Sequence, residues 1–142
     1  MKIEDLQLKP TGVINASQSL REAAKQMDEN ALSELAVEQD GRVIGLLDDH
    51  EVMRSVVAHG LDADAVKAGE VPVVEGNVLF KAMDVKDALK LLQSKHVDRA
   101  VVVDAEGAVA GLVRCAQLEN ACREADRPHE GGGRFFGFST TE

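Results

Sequence analysis

The chain has 142 residues, of which 44% are hydrophobic and 29% charged, a composition typical of one globular domain or of two small halves sharing a core. The formal net charge is −9, and the aromatic residues are four Phe, with no Trp or Tyr. Nucleic-acid binders need a basic face or stacking aromatic side chains, so this composition argues against nucleic acid as a partner.

The sequence also argues against a membrane protein. No apolar run approaches the roughly 20 residues that span a bilayer, and no leader-like apolar segment follows the first residues. The two cysteines, Cys115 and Cys122, form neither a C-x-x-C motif nor a disulfide framework, and we expect them to be small apolar side chains on one helix. We therefore expect a cytoplasmic protein without a membrane partner.

The first elements along the chain are a short extended segment at residues 13–14 and a helix. Ser19 and Glu22 have the S-x-x-E spacing of a capping box, and apolar residues follow them with helical period. Together they predict a strand followed by a helix that begins after Ser19.

Two more strands and a second helix come next. Residues 35–37 and 43–47 are short apolar runs joined by the turn dipeptide at residues 40–41, which predicts a hairpin. Asp48 suits the N-cap of a helix that ends before Gly60. The order in this half is β-α-β-β-α.

After an irregular connector at residues 61–70, Pro72 precedes a second half that predicts the same order of elements. Its strands are expected at 78–80, 100–103 and 108–113, and its helices after Asp84 and from about Cys115 to Ala125.

The two halves are also similar in sequence. Residues 35–46 match 101–112 at an offset of 66, and residues 20–27 match 85–92 at an offset of 65. Matching blocks in the same order indicate an internal duplication. Such short three-stranded sheets cannot bury both faces alone, so the copies should pack sheet to sheet.

We expect one repeat at 1–62, a second at 63–126, and a Gly-rich linker with a Phe-rich tail at 127–142.

Two β-α-β-β-α copies, each with an acidic-Gly turn, a strand ending near a Gly and a following helix, resemble a tandem pair of cystathionine β-synthase (CBS) domains, a Bateman module. The resemblance covers about residues 1–125. It implies a mixed α+β fold in which the repeats pack about a pseudo-twofold axis, with small sheets inside and helices outside. It also implies two clefts, which in the family often bind adenine nucleotides or S-adenosylmethionine, and a homodimer.

The family's nucleotide signature is Gly-h-h-Thr/Ser-x-x-Asp, where h is apolar, the hydroxyl approaches phosphate and the Asp accepts ribose hydroxyls. In the first repeat Asp48 takes the hydroxyl position and Glu51 the Asp position. Glu51 keeps a carboxylate for ribose, but Asp48 would repel a phosphate by about 4 kcal/mol at an effective dielectric constant of about 20. The other interpretation is that Asp48 and Glu51 are a helix-capping pair.

In the second repeat Arg114 and Gln117 take these positions, where they suit either phosphate and ribose contacts or a solvated helix start. We expect Arg99, Phe80 and Lys81 near the same cleft. From residue 67 onward the chain has 10 basic and 12 acidic residues, against 6 and 13 before it. The second cleft is therefore the predicted site for AMP, ADP, ATP or S-adenosylmethionine.

These features predict a regulatory protein rather than an enzyme. No set of nucleophile, base and orienting residue is visible, and the four His lack metal-ligand spacing, so no metal or required cofactor is expected. A ligand between the repeats would shift their relative orientation, and a partner enzyme or transporter would respond.

The alternative is a ligand-free dimerisation or interaction scaffold that uses the tail. The tail contains Phe135, Phe136 and Phe138. These side chains could dock on the chain's own sheet edge or on a dimer mate, form a motif for another protein, or belong to a loose chain end.

Overall fold

A computed structural model describes residues 1–71 and 77–126, and it contains the predicted elements twice in the same order. The first repeat consists of β1 (Gly12–Asn15), α1 (Leu20–Glu29), β2 (Glu34–Gln39), β3 (Arg42–Asp48) and α2 (Asp49–Met53), which continues as a π-helical turn (Arg54–Ala58). The second consists of β4 (Val78–Phe80), α3 (Val85–Ser94), β5 (Arg99–Val103), β6 (Val109–Arg114) and α4 (Cys115–Ala125). Short 3₁₀ turns lie at Ile3–Asp5 and Ala68–Glu70. In these described ranges, no helix is long and apolar enough to cross a membrane.

The predicted helix start at Ser19 is confirmed. Ser19 Oγ accepts a hydrogen bond from the Glu22 N–H at 3.2 Å, and Glu22 Oε1 accepts one from the Ser19 N–H at 3.0 Å. The hairpin turn is also confirmed, since Asp40 and Gly41 have φ of 54° and 80°.

The helix after Asp48 differs from the prediction in its last turn. It is α-helical only to Met53, and the His59 N–H then donates to the Arg54 carbonyl at 2.9 Å. This bond spans five residues, so the turn is wider than that of an α-helix. Gly60 follows with φ of 69°, the left-handed conformation predicted for it.

The two sheets have the same topology and the same irregularities. In each, the first strand is parallel to the central strand and the third is antiparallel to it. The register shifts after Val37 in β2 and after Val102 in β5. A left-handed residue precedes each central strand, Ala31 with φ of 53° and His96 with φ of 57°. The predicted duplication is therefore present in the backbone as well as in the sequence.

The sheets lie inside and the helices outside, as predicted. In β2, Leu35 and Val37 pack toward the helices of their own repeat, whereas Ala36 faces the other sheet. In β5, Val102 likewise packs toward the helices of its own repeat, whereas Val101 faces the other sheet. The inter-sheet cluster, here called the seam, has four buried members: Ala36, Leu46, Val101 and Leu112.

Chain segments cross between the repeats. Ile3 is fully buried in the helix-side core of the second repeat, and Lys9 exchanges two backbone hydrogen bonds with Leu112, at 3.0 and 2.8 Å. In the other direction, Ala68 is buried in the core of the first repeat, where its N–H donates to the Gln18 carbonyl at 2.7 Å. Ile3, which precedes the first repeat's strands, therefore packs in the second repeat, and Ala68, which follows the first repeat's last helix, packs in the first.

These contacts cross the predicted boundary at residue 62 in both directions, and the boundary stays a prediction. The predicted linker and tail at 127–142 lie outside the described residues.

An ion pair closes one edge of the seam. Glu34, the first residue of β2, is 3% exposed and accepts hydrogen bonds from Arg99 Nη1 at 2.7 Å and from Ser33 Oγ at 2.8 Å. Burial raises the pKa of Glu34, but these hydrogen bonds and the charges of Arg99 and Arg114 outweigh it, so the pKa lies below its ordinary value. The folded protein therefore holds Glu34 as a carboxylate.

We expect Leu112→Ala to lower the free energy of unfolding by about 2–5 kcal/mol, because it leaves a cavity in the seam. Lys25→Ala is the control, since this side chain is exposed on α1 and should change stability by at most about 0.5 kcal/mol. Urea unfolding of both variants measures the difference. Equal midpoints would contradict the packing of the two sheets.

We expect Glu34→Gln to lower stability at pH 7 by about 1.5–3 kcal/mol, the usual contribution of a charged hydrogen bond. Because the folded pKa is lowered, the contribution is complete above the ordinary glutamate pKa of about 4.3 and is lost as pH falls through the folded value. Urea unfolding between pH 7 and pH 3 should show a steeper acid loss in the unsubstituted chain than in Glu34→Gln. Glu38→Gln, in the same strand, removes the same charge and should keep the steep loss of stability at acid pH. If stability falls equally steeply with pH in Glu34→Gln and in the unsubstituted chain, the ion pair does not have this role.

Candidate functional site

A cavity of about 220 Å³ opens between the repeats, where β3 ends and β5 begins. Its lining comes from both halves of the chain: Leu46, Asp48 and Glu51 from the first, and Asn77, His96, Val97, Asp98 and Arg99 from the second. A bound molecule there would touch both repeats at once. We call this cavity the first cleft.

At one wall of the first cleft, Asp48 has a structural role. Its Oδ1 accepts a hydrogen bond from the Glu51 N–H at 2.8 Å, which confirms Asp48 as the N-cap of α2. The Glu51 carboxylate does not return to the cap but receives Arg54 Nη2 at 3.0 and 2.9 Å. Both predicted carboxylates therefore line the cleft while taking part in contacts at the start of α2.

Four charged side chains lie close together beside the first cleft: Glu34, Asp48, Arg99 and Arg114. Strand register pairs Glu34 with Asp48 in the first repeat and Arg99 with Arg114 in the second. Arg114 Nη2 lies 3.6 Å from the Glu34 carboxylate, and Arg99 Nη2 lies 4.0 Å from that of Asp48. Strand register aligns Glu34 with Arg99 at an offset of 65 and Asp48 with Arg114 at an offset of 66, so the extra residue of the second copy lies in the hairpin turn and the offset of 66 predicted from residue 35 is wrong for β2. At these equivalent positions one repeat carries acids and the other bases.

The Arg99 guanidinium is held by its surroundings in the charged form. Burial lowers the pKa of Arg99, but the hydrogen bond to Glu34 and the charges of Asp98 and Glu34 outweigh it and raise the pKa. Asp98 Oδ1 lies 3.4 Å from Arg99 Nε. Arg99 therefore already has anionic partners within the protein.

At the start of α4, where the sequence predicted the second cleft, the N-terminal segment covers the helix. Gln117 Nε2 donates to the Gln7 carbonyl at 2.8 Å. Leu8 lies so close to Gly111 that an added Cβ would approach the Leu8 Cβ to 2.6 Å. The predicted ligand contact of Gln117 is thus occupied by the chain itself, and that of Arg114 is directed at Glu34.

Phe80 and Lys81 do not lie at either of these places. Because β4 is parallel to β5, Phe80 pairs with Val103, at the opposite end of β5 from Arg99. There Phe80, 53% exposed, lines a separate cavity of about 290 Å³. The Lys81 N–H donates to the Val103 carbonyl at 2.9 Å. The sequence predicted these strands correctly but placed Phe80, Lys81 and Arg99 near the second cleft, whereas Arg99 lines the first cleft.

Sequence reasoning missed Asn77. This residue is 7% exposed and lines the first cleft, and no hydrogen-bond partner for its Oδ1 occurs among the described residues. The one available signal was the duplication itself, in which Asn77 corresponds to Gly12, the first residue of β1. His96 and Asp98 reach the cleft from the turn before β5.

The cysteines are packing residues, as predicted. Cys115 and Cys122 pack against the second core, and Cys115 Sγ lies 3.3 Å from the Val97 carbonyl. Burial, with the charges of Glu119 and Asp98, raises the pKa of the Cys115 thiol, so it is a poor nucleophile. Across residues 1–71 and 77–126, no group of three His, Cys, Asp or Glu is arranged to hold a metal ion.

Comparison with known proteins gives relatives of the same architecture. The protein MJ1232 of Methanocaldococcus jannaschii is 27% identical over 113 residues, which are 80% of this chain and 36% of that protein, so the chain spans about a third of its relative. The crystal structure of the CBS domain protein TA0289 from Thermoplasma acidophilum has 27% identity and a TM-score of 0.68, over 84% of this chain and 68% of that one.

A third relative is similar in fold at lower identity. PAE2072 from Pyrobaculum aerophilum, a CBS domain protein complexed with AMP, has 17% identity and a TM-score of 0.67, over 82% of this chain and 89% of that one. The CBS domain family matches residues 3–58 and, separately, residues 68–121. The chain therefore belongs to the CBS domain family and carries two copies of the domain in tandem.

Proposed function

We propose that this CBS pair is a regulatory protein that binds a small adenosine-containing ligand in the first cleft. The observation that carries the proposal is the Asn77 Oδ1, a buried acceptor without a partner among the described residues. Leaving such a group unpaired costs about 1–3 kcal/mol, which a ligand N–H such as the adenine amine would offset. The AMP complex of PAE2072, a protein of the same fold, supports the adenosine class.

The proposal differs from the sequence-based expectation in its choice of cleft. Arg114 and Gln117 were expected to bind the ligand, but Gln117 is engaged by Gln7 and Arg114 faces Glu34. The first cleft instead has lining groups from both repeats and an unused buried acceptor. AMP, ADP, ATP and S-adenosylmethionine are all candidate ligands.

Signalling would follow from the position of the cleft across the seam. A ligand that touches Asp48 on one sheet and Asn77 beside the other has different affinities for different relative orientations of the repeats. It shifts the population toward the orientation that it binds more tightly, by no more than that difference in affinity. A partner enzyme or transporter in a reducing cytoplasm would respond to the orientation, and the chain itself would catalyse no reaction.

An exposed apolar face supports a homodimer as part of the proposal. Met53, Val57 and Leu61 are 53%, 76% and 46% exposed along α2 and the segment after it. Exposed apolar side chains grouped this closely along the chain support a contact site for another chain. A second copy covering this face would also provide the dimer required by the alternative function, a ligand-free scaffold. The predicted roles of Phe135, Phe136 and Phe138 lie outside the described residues.

Thermal unfolding with adenosine, AMP, ADP, ATP and S-adenosylmethionine tests the ligand. A ligand at 100 times its dissociation constant should add about 2.7 kcal/mol of stability. Asn77→Ala should weaken binding about tenfold, the effect of losing one hydrogen bond, whereas Gln117→Ala should leave it unchanged. Weakening by Gln117→Ala alone would place the ligand in the second cleft, and no stabilisation by any of the five compounds would favour the scaffold.

Molar mass in solution tests the dimer. We expect a mass near 30 kDa, twice 15.2 kDa, for the unsubstituted chain and the monomer mass for Val57→Glu, because a charge would be buried in the interface. Asn120→Glu adds the same charge to exposed α4 of the other repeat and should leave the dimer intact. A monomeric unsubstituted chain, or a dimer that survives Val57→Glu, would refute this interface.

A further inference from the structure

We infer that the first cleft discriminates against phosphate, and that its ligand is an adenosine compound with a neutral or positively charged tail rather than a nucleotide. The inference rests on the proposed function and narrows its ligand class. It depends on how the charges around the cleft are already paired.

Each guanidinium near the cleft already has a carboxylate partner. Arg99 Nη1 donates to Glu34 at 2.7 Å, and Arg99 Nε lies 3.4 Å from Asp98. Arg54 donates twice to Glu51, and Arg114 lies 3.6 Å from Glu34. Glu34 cannot readily turn away, because it is 3% exposed and its other oxygen accepts from Ser33. A phosphate would therefore have to compete with carboxylates of the protein for these guanidiniums.

The carboxylates also outnumber the guanidiniums. Around the cleft the acids are Glu34, Asp48, Glu51 and Asp98, and the bases are Arg54, Arg99 and Arg114. With His96, which also lines the cleft, counted as neutral, the balance is one negative charge before any ligand arrives. A phosphate dianion entering this partly enclosed space meets net repulsion, whereas a cation meets net attraction.

Two backbone donors at the start of α2, those of Asp49 and Glu51, are used as well. The Glu51 N–H donates to the Asp48 carboxylate at 2.8 Å, and the Asp49 N–H donates to the Ser33 carbonyl at 2.9 Å. Amide groups of this kind are what a phosphate would need at the beginning of a helix. With both engaged, neither side chains nor these backbone groups offer a vacant anion site.

The same lining suits an uncharged or cationic molecule. The buried Asn77 Oδ1 provides an acceptor for a base N–H, and Asp48 and Glu51 provide acceptors for ribose hydroxyls. Asp98, whose side chain is 78% exposed, lies where the cleft meets solvent and would attract a positive tail. Adenosine and a sulfonium nucleoside such as S-adenosylmethionine both have this chemistry.

Titration calorimetry of the full chain with adenosine, AMP and S-adenosylmethionine at pH 7.5 tests the inference. We expect adenosine and S-adenosylmethionine to bind at least about tenfold more tightly than AMP, with a gap that narrows as added salt screens the charges. Asp48→Asn removes one charge but keeps a good N-cap residue, and it should raise the affinity for AMP about tenfold relative to adenosine.

Asp40→Asn is the matched control. It removes the same charge at the far end of the β2–β3 hairpin, where φ of 54° is tolerated by Asn, and should leave the ratio of affinities unchanged. Asp98→Asn repeats the test at a side chain that is 78% exposed, so this substitution should not affect folding.

Two results would overturn the inference and spare the proposed function. One is AMP binding as tightly as adenosine, and the other is an AMP-to-adenosine ratio that neither Asp48→Asn nor Asp98→Asn changes. Binding of none of the three compounds would refute the inference, and if ADP and ATP also fail to bind, the proposed function on which it rests is refuted as well.

Discussion

Two sheets of three short strands have only each other to cover their inner faces. Ala36 and Leu46 on one sheet meet Val101 and Leu112 on the other, and burying such side chains contributes roughly 1.5–3 kcal/mol for each large one. The first cleft exists because the strands end at the edge of this contact, where polar termini of both repeats remain side by side. Fold and candidate site thus depend on the same apolar contact.

The charged residues where the two repeats meet differ in sign between the copies. Identical copies would place like charges at equivalent positions across the contact, but Glu34 corresponds to Arg99 and Asp48 to Arg114. Divergence into an acidic and a basic copy converts repulsion into the 2.7 Å pair that closes the seam. It also makes each repeat complementary in charge to the other repeat, and it gives both Arg99 and Arg114 an acidic neighbour.

Local signals in the sequence were sufficient for most of the fold. The Ser19 capping box, the Asp40-Gly41 turn and the apolar run of Leu35, Ala36 and Val37 each involve only a few neighbouring residues, so local patterns in the sequence predict them. Pairings across a hundred residues, such as Gln7 with Gln117, have no local signal. The sequence therefore identified Asp48, Glu51 and Arg99 as candidate site residues, but not Asn77 or the covering of the second cleft.

The crossing of Ile3 into the core of the second repeat has a consequence for biosynthesis. Its backbone partner is Met83, so the chain's first apolar residues find their burial site only after about 80 more residues have been made, and the emerging first repeat lacks them. Closing so long a loop is slow compared with forming the local hairpins. Docking of the amino terminus should therefore be a late event, one that fastens both repeats together after each sheet has formed.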